Sequence, residues 1–453
     1  MARAWTAALT LGALLALTGC GGDSDGGGTA GEAAKEPRTT ASAGPALTVR
    51  VPVPEGFDRD RGWQDAVTWL PDDATSRPFA AAAHGEVLAL LKKQGDAYVL
   101  QARDVAGGAL LFSGAPWRPP KPLDLYSGGA ETPGVETVVR GGKEYFALWA
   151  HGVRGEDGLS KGKEVVAVAL YPADTTGESA APAREADVPV DSGSSEARVR
   201  DGGDGLLVTT AKGDSASLDV ATGAVTAYPT TLELADTCEQ IGCVDSTVRA
   251  LAPEGPVIAQ STGGFGIPGG WESSRFAPPG ADTEGFEKYK ARAQTSVSGH
   301  LVASWTAELG ADEVSPGTVW SVHAAATGEV EASVRCEEGP TDDSPAALSP
   351  DGRYLTAGPL AFDLEKGTGH CFAESDDQRG VTLLSVGDDG TAYGLVETDD
   401  GTAGATVAVP LGTGRAEPLA DGVQPPVLSL GEAGVFSPPA DGPGVLFTVL
   451  RRG

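Results

Sequence analysis

Residues 345–372, PAALSPDGRYLTAGPLAFDLEKGTGHCF, hold four short strands separated by tight turns. Residues 346–349 read as the first strand. Pro350-Asp351-Gly352 reads as a turn, because Pro presets φ and Gly accepts the positive φ of a tight hairpin. Tyr354, Leu355 and Thr356 make a second strand, residues 360–364 a third, and residues 370–372 begin a fourth after a turn at Gly367. Such a unit is one small antiparallel sheet. It has two faces to bury and cannot bury them alone, so the rest of the chain must supply further copies.

The copies are present. A Gly followed by an apolar strand recurs at Gly85, Gly142, Gly205, Gly255, Gly299, Gly352, Gly390 and Gly434. A second turn recurs as DVAGGALLF at Gly108, DTTGES at Gly177, DVATGAVTAY at Gly223, AATGEVEASV at Gly328, DLEKGTGHCF at Gly367 and PLGTGRAEPL near Gly412. An Asp that caps the turn and a Gly at positive φ are the chemistry of a short hairpin loop. The period is about fifty residues, in the range of propeller blades. A degenerate copy fits around Gly269 and Trp271. The fold class is therefore all-β, a β-propeller of four-stranded blades spanning residues 46–453. Eight first-turn copies favour eight blades, with seven as the alternative if one weak copy is an insertion. The last copy lacks a strand. Residues 46–53 (ALTVRVPV) alternate like one, and adding them to the last blade closes the ring and removes an open edge.

The D-x-x-T-G hairpin resembles the blade turn of PQQ-like, quinoprotein-dehydrogenase-type propellers. The S-P-D-G-R-x-L of residues 349–355 is similar to the turn in WD40-like and TolB-like propellers. The resemblance implies scaffold. Quinoproteins hold PQQ over adjacent bonded cysteines, against a Trp, with calcium ligands in the central funnel. Here no cysteines are adjacent, and no residue matches a cofactor position, so no cofactor and no metal are expected.

The first residues set the expected compartment. Arg3 supplies a positive start, residues 7–17 a short apolar stretch, and Leu17-Thr18-Gly19-Cys20 resembles a bacterial lipobox. Residues 1–19 read as a lipoprotein signal peptide. Cys20 reads as the lipidated residue, and residues 20–45 as a polar, disordered tether. Two or more acyl chains would hold the protein on the outer face of the cell membrane. Cys238, Cys243, Cys336 and Cys371 remain. Four cysteines allow three pairings, of which Cys238–Cys243 and Cys336–Cys371 are favoured in an oxidising compartment.

Formal charge is −30 at neutral pH, which speaks against nucleic acid and against electrostatic docking on anionic lipid. It also opposes close packing of copies, so a monomer is expected. The acids are dispersed and give no calcium-loop spacing. The five histidines show no metal-ligand spacing. The insertion 263–292 gathers aromatic and basic residues, and Phe265, Trp271, Arg275 and Phe276 are candidates for a partner-binding loop. Packing of those aromatics onto the fourth copy is the alternative. Two functions fit: a non-catalytic binding or scaffold module for an extracytoplasmic protein or small ligand, or a degenerate quinoprotein-like or glycan-active enzyme. Convergent carboxylates with perturbed pKa values in the central funnel favour the enzyme. A funnel of small apolar residues favours the scaffold.

Overall fold

The computed structural model describes residues 44–453 apart from 72–73, 75, 83, 85, 124–130, 192–195, 311–315, 342–343, 399–402 and 438–443. The stretch expected to be a signal peptide, Cys20 and most of the expected tether lie outside the described residues. What is described belongs to one compact unit, Ala41–Gly453.

The strands form mainly antiparallel sheets taken up in chain order, with two parallel pairings among the described residues, Phe112 with Gly177 and Ser333 with Thr368. The first sheet runs Phe79–Ala82, Val87–Gln94, Ala97–Asp104, Leu110–Gly114. The second runs Gly134–Arg140, Lys143–Glu156, Lys161–Pro172, Arg184–Pro189. The third runs Ala197–Asp201, Leu206–Thr210, Ser215–Leu218, Val225–Tyr228. The fourth has three strands, Ser246–Ala252, Gly255–Gln260 and Phe265–Gly266. The fifth runs Arg292–Val297, His300–Thr306, Thr318–Ala324, Val330–Arg335. The sixth runs Ala346–Leu348, Tyr354–Ala357, Leu360–Asp363, Thr368–Cys371. The seventh runs Val381–Val386, Thr391–Glu397, Ala403–Pro410, Glu417–Pro418. The last joins Leu428–Leu430, Ala433–Phe436 and Val445–Arg452 to the N-terminal strand Phe57–Val67. Successive sheets with neighbouring first strands make an all-β propeller.

Local chemistry explains the turns. Ser349 O accepts from Gly352 N, the Ser349 hydroxyl accepts from Tyr354 N, and Gly352 sits at φ 76°. In the second turn, Asp219 Oδ1 accepts from Ala221 N and Thr222 N while Gly223 N donates to Asp219 O. Asp104 and Asp363 cap their turns in the same way.

The sheets are fastened to one another at these turns. Trp63, on the outer strand of the last sheet, lies against Gly108 of the first and donates from Nε1 to Val105 O at 2.9 Å. A Cβ on Gly108 would stand 2.6 Å from that ring. Trp271, beside the fourth sheet, lies against Gly328 of the fifth and donates to Ala325 O at 3.2 Å. His370, on the outer strand of the sixth, lies against Gly414 of the seventh and donates to Leu411 O at 2.9 Å. In each case the ring N–H reaches the carbonyl three residues before the glycine. The glycine leaves room for the ring, and the bond satisfies a buried carbonyl.

The segment 46–53 is not a strand. The strand added to the last sheet is Phe57–Val67, with Trp63 opposite Val449 and Val67 opposite Val445. Pro52 and Pro54 withhold the donors a ladder needs. The buried Gln64 side chain takes the place of a strand partner: Oε1 accepts from Thr48 N and Val49 N, and Nε2 donates to Val49 O. Over 283–292 the backbone forms only the 3-10 turn Glu287–Tyr289. A helix at Ala235–Ile241 carries Cys238.

Cys238 bonds Cys243, and Cys336 bonds Cys371. The second bond ties the fifth and sixth sheets beside their one parallel pair, Ser333 with Thr368. Sequence separations are 5 and 35. In the chain-entropy account, replacing Cys336 and Cys371 by Ser costs about 4 kcal/mol, and replacing the other pair about 2 kcal/mol. Urea unfolding of the two double variants measures both losses and their order.

Candidate functional site

The first strands of successive sheets lie side by side and run the same way. Val135 N donates to Arg77 O at 2.9 Å and the Thr137 hydroxyl to Ala81 O at 2.9 Å. Leu251 N donates to Gly202 O at 2.7 Å, the Ser296 hydroxyl to Arg249 O at 2.6 Å, and the Ser385 hydroxyl to Pro426 O at 2.6 Å. Together these strands surround a cavity of about 370 Å³. Most of the wall is small or apolar: Ala80, Ala81, Val135, Val297, Ala346, Leu384, Val427 and Leu428.

Into this wall the first three sheets and the residues flanking them bring charge. Glu136, Arg77, Arg200 and Asp201 line the cavity, with His84 and Glu144 at one end. Burial pushes Glu136 up to about 7; the positive charge of Arg77 restrains the rise and the negative charge of Asp201 adds to it. Burial pushes Asp201 up to about 6, against the Gly203 N–H and the Ser298 hydroxyl, which favour its charged form. Asp201 Oδ1 accepts from Gly203 N at 3.0 Å. Arg200 donates to Arg249 O at 3.2 Å. His84 Nδ1 lies 3.1 Å from Glu144. Glu136 and Asp201 are the carboxyls of this wall whose charge burial opposes. No cluster of three His, Cys, Asp or Glu that could hold a metal occurs among the described residues.

The sequence-selected loop lies elsewhere. Phe265 is fully buried and packs edge-on against Trp271, Trp305 and His323. Trp271 is half-buried as the docking ring described above, and Phe276 packs on it edge-on at 6.1 Å. Arg275 pairs with Asp236 of the helix. Glu272, beside Trp271, is buried and accepts from Asp236 N, Thr237 N and the Thr237 hydroxyl. These contacts fasten the insertion to the fourth and fifth sheets. Of these residues only Arg275 is exposed; Phe276 is half-buried and Phe265 fully buried. His323 completes the support: Nδ1 donates to Gly328 O at 2.9 Å, Nε2 meets the Ser321 hydroxyl at 2.8 Å, and burial pushes it down to about 4, so it is neutral.

Sequence reasoning did not select Glu136, Asp201 or Arg77. The available signal is position: Glu136 and Asp201 fall in the strand just before a first-turn glycine, Gly142 and Gly205. That strand lines the axis of a propeller.

No family model matches the chain, and no curated protein matches it. Among solved structures it is similar to the β-propeller domain of Cps50 (Swd1) from Myceliophteria thermophila, with a TM-score of 0.40 and 10% identity over 86% of this chain and 99% of that one. It is similar to the Dos1 propeller, with a TM-score of 0.38 and 11% identity over 86% and 94%. It is also similar to the propeller domain of the Trilobed protease from Pyrococcus furiosus, with a TM-score of 0.33 and 12% identity over 84% and 95%. The fold assignment stands on the sheet order and the docked turns rather than on these likenesses.

Both raised carboxyls disfavour the charged folded state, so they cost stability above their unfolded pKa values and cost nothing below them. Glu136→Gln should therefore stabilise the protein at pH 8 by about 1–3 kcal/mol and have little effect at pH 4; solvent in the cavity holds the gain to that range. Urea unfolding of both proteins at the two pH values measures it.

Proposed function

We propose that this chain is a lipid-anchored, extracytoplasmic β-propeller that acts as a non-catalytic binding module on the outer face of a bacterial cell membrane. In this reading the ring has eight blades, Phe57–Val67 completes the last, and the protein is a monomer. The observation that carries the reading is the central cavity, a largely small and apolar wall of inner strands lined also by the buried carboxyls Glu136 and Asp201. The anchor is proposed from Leu17-Thr18-Gly19-Cys20 and the polar stretch after it. Gly44 abuts Gly107 and Gly108, and Val105 N bonds Glu86 O, so the tether arrives at the end of the ring that carries the first and second turns. His84 stands at that end of the cavity too. About twenty-five tether residues reach roughly 25–30 Å, enough to hold the ring clear of the bilayer. A protein partner would meet the loops at a ring face, where the fourth-sheet insertion offers the exposed Arg275 beside the half-buried Phe276.

An enzyme is the second reading. Glu136 and Asp201, raised to about 7 and 6 in one cavity, are the observation that favours it.

Crosslinking and pull-down from intact cells, with the native chain beside Cys20→Ala, tests the proposal. The proposal expects the native chain in the membrane fraction with a partner that Cys20→Ala fails to recover. Equal membrane abundance of both chains would overturn the anchor. An anchored chain without a partner, whose turnover of a glycan or alcohol substrate is lost in Glu136→Gln, would replace the binding module with the enzyme.

A further inference from the structure

A second buried charge cluster lies away from the cavity. His151 sits on the strand Lys143–Glu156 with its side chain fully enclosed. Its Nδ1 is 2.6 Å from Glu131 Oε2, and its Nε2 is 3.0 Å from Glu164 Oε1. Glu131 is 3% exposed and Glu164 20%. Two carboxylates ask for two N–H donors, and an imidazole has two only when it is protonated. Glu131 has a further bond. Its Oε1 accepts from Ala197 N at 3.2 Å, the first residue of the third sheet. The cluster therefore joins the approach to the second sheet, two of that sheet's strands and the start of the next sheet.

We propose that His151 is a proton-operated latch between the second and third sheets. Protonated, the ring holds both carboxylates, and Glu131 holds Ala197. Deprotonated, the ring keeps one N–H, one buried carboxylate loses its donor, and the junction at Ala197 loosens. The neighbouring cations pair with other acids as well. Lys212 pairs with Asp191 at 2.6 Å and feels Glu164 only through its field. Lys121, whose main chain pairs with Val153, turns its amine to Glu156 at 2.6 Å. Arg154 pairs with Asp187 at 2.9 Å.

Burial lowers the affinity of His151 for a proton, but the bonds and charges of Glu131 and Glu164 outweigh it and raise the group above its ordinary value. A histidine raised in the folded state lends stability that is full below the unfolded value and fades as pH rises through the folded one. The latch is thus set below the ordinary histidine value of about 6.5 and released as pH rises through the raised value of the folded protein.

The test compares the native chain with His151→Gln between pH 6 and 9. Glutamine keeps hydrogen bonding but cannot titrate, and the cavity carboxyls are common to both proteins. The latch predicts that the native unfolding constant rises across this range at least tenfold more than that of the variant. It also predicts that native Ala197 amide exchange accelerates beyond the ordinary base-catalysed slope. Ring nitrogen shifts of His151 in the native protein should report a titration above 6.5, which decides the matter even where the variant does not fold. Parallel stability profiles, or a ring already neutral at pH 6.5, would overturn the latch.

Discussion

A ring of small sheets depends on what joins each sheet to the next, because each sheet alone leaves both faces wet. Here three of the joints share one interaction. Trp63, Trp271 and His370 each stand on a turn glycine of the following sheet and donate a ring N–H to the carbonyl three residues upstream. The glycine is required twice over: Gly108 and Gly328 sit at positive φ, and any Cβ there would enter the ring. A buried aromatic ring on a turn contributes apolar area and satisfies a carbonyl that would otherwise be orphaned. The joint between the fifth and sixth sheets uses other means, the Cys336–Cys371 bond and the Ser333–Thr368 pair.

Those joints fix the inner strands and so fix the cavity. Main-chain bonds between neighbouring first strands leave their side chains little freedom, and polar residues placed there face one another across the axis. Glu136 and Asp201 are costly in that position, since burial opposes their charge and each opposes the other. A scaffold gains nothing from such an expense, whereas a site that meets a ligand does. The wall is otherwise small and apolar, which suits binding with few, well-placed polar contacts.

Much of this architecture was legible in the chain because turns are local. The Asp–Gly and Pro-Asp-Gly motifs act within four residues, so the strands around residues 346–372 appear close to where they were expected. Pairing with the last sheet was not local. Residues 46–53 alternate and residues 57–67, with Asp and Arg over 58–61, do not, yet the prolines at 52 and 54 and the reach of Gln64 give the strand to the second segment. Trp271 shows the same limit from the other side. An aromatic among basic residues left both a binding role and packing open, and the turn glycine it packs against lies 57 residues later. Glu136 was invisible for a third reason: one acid among 63 acidic residues carries no signal until a sheet order places it on the axis.

The claim that docked rings on turn glycines hold the sheets together is tested most directly by a double-mutant cycle of Trp271→Ala with Gly328→Ala, followed by urea unfolding. The account predicts that Gly328→Ala costs about 2–4 kcal/mol in the native chain and much less once the ring is gone, a coupling of about 1–3 kcal/mol. Equal cost of Gly328→Ala in both backgrounds would contradict it, leaving backbone strain at residue 328 as the whole of the effect.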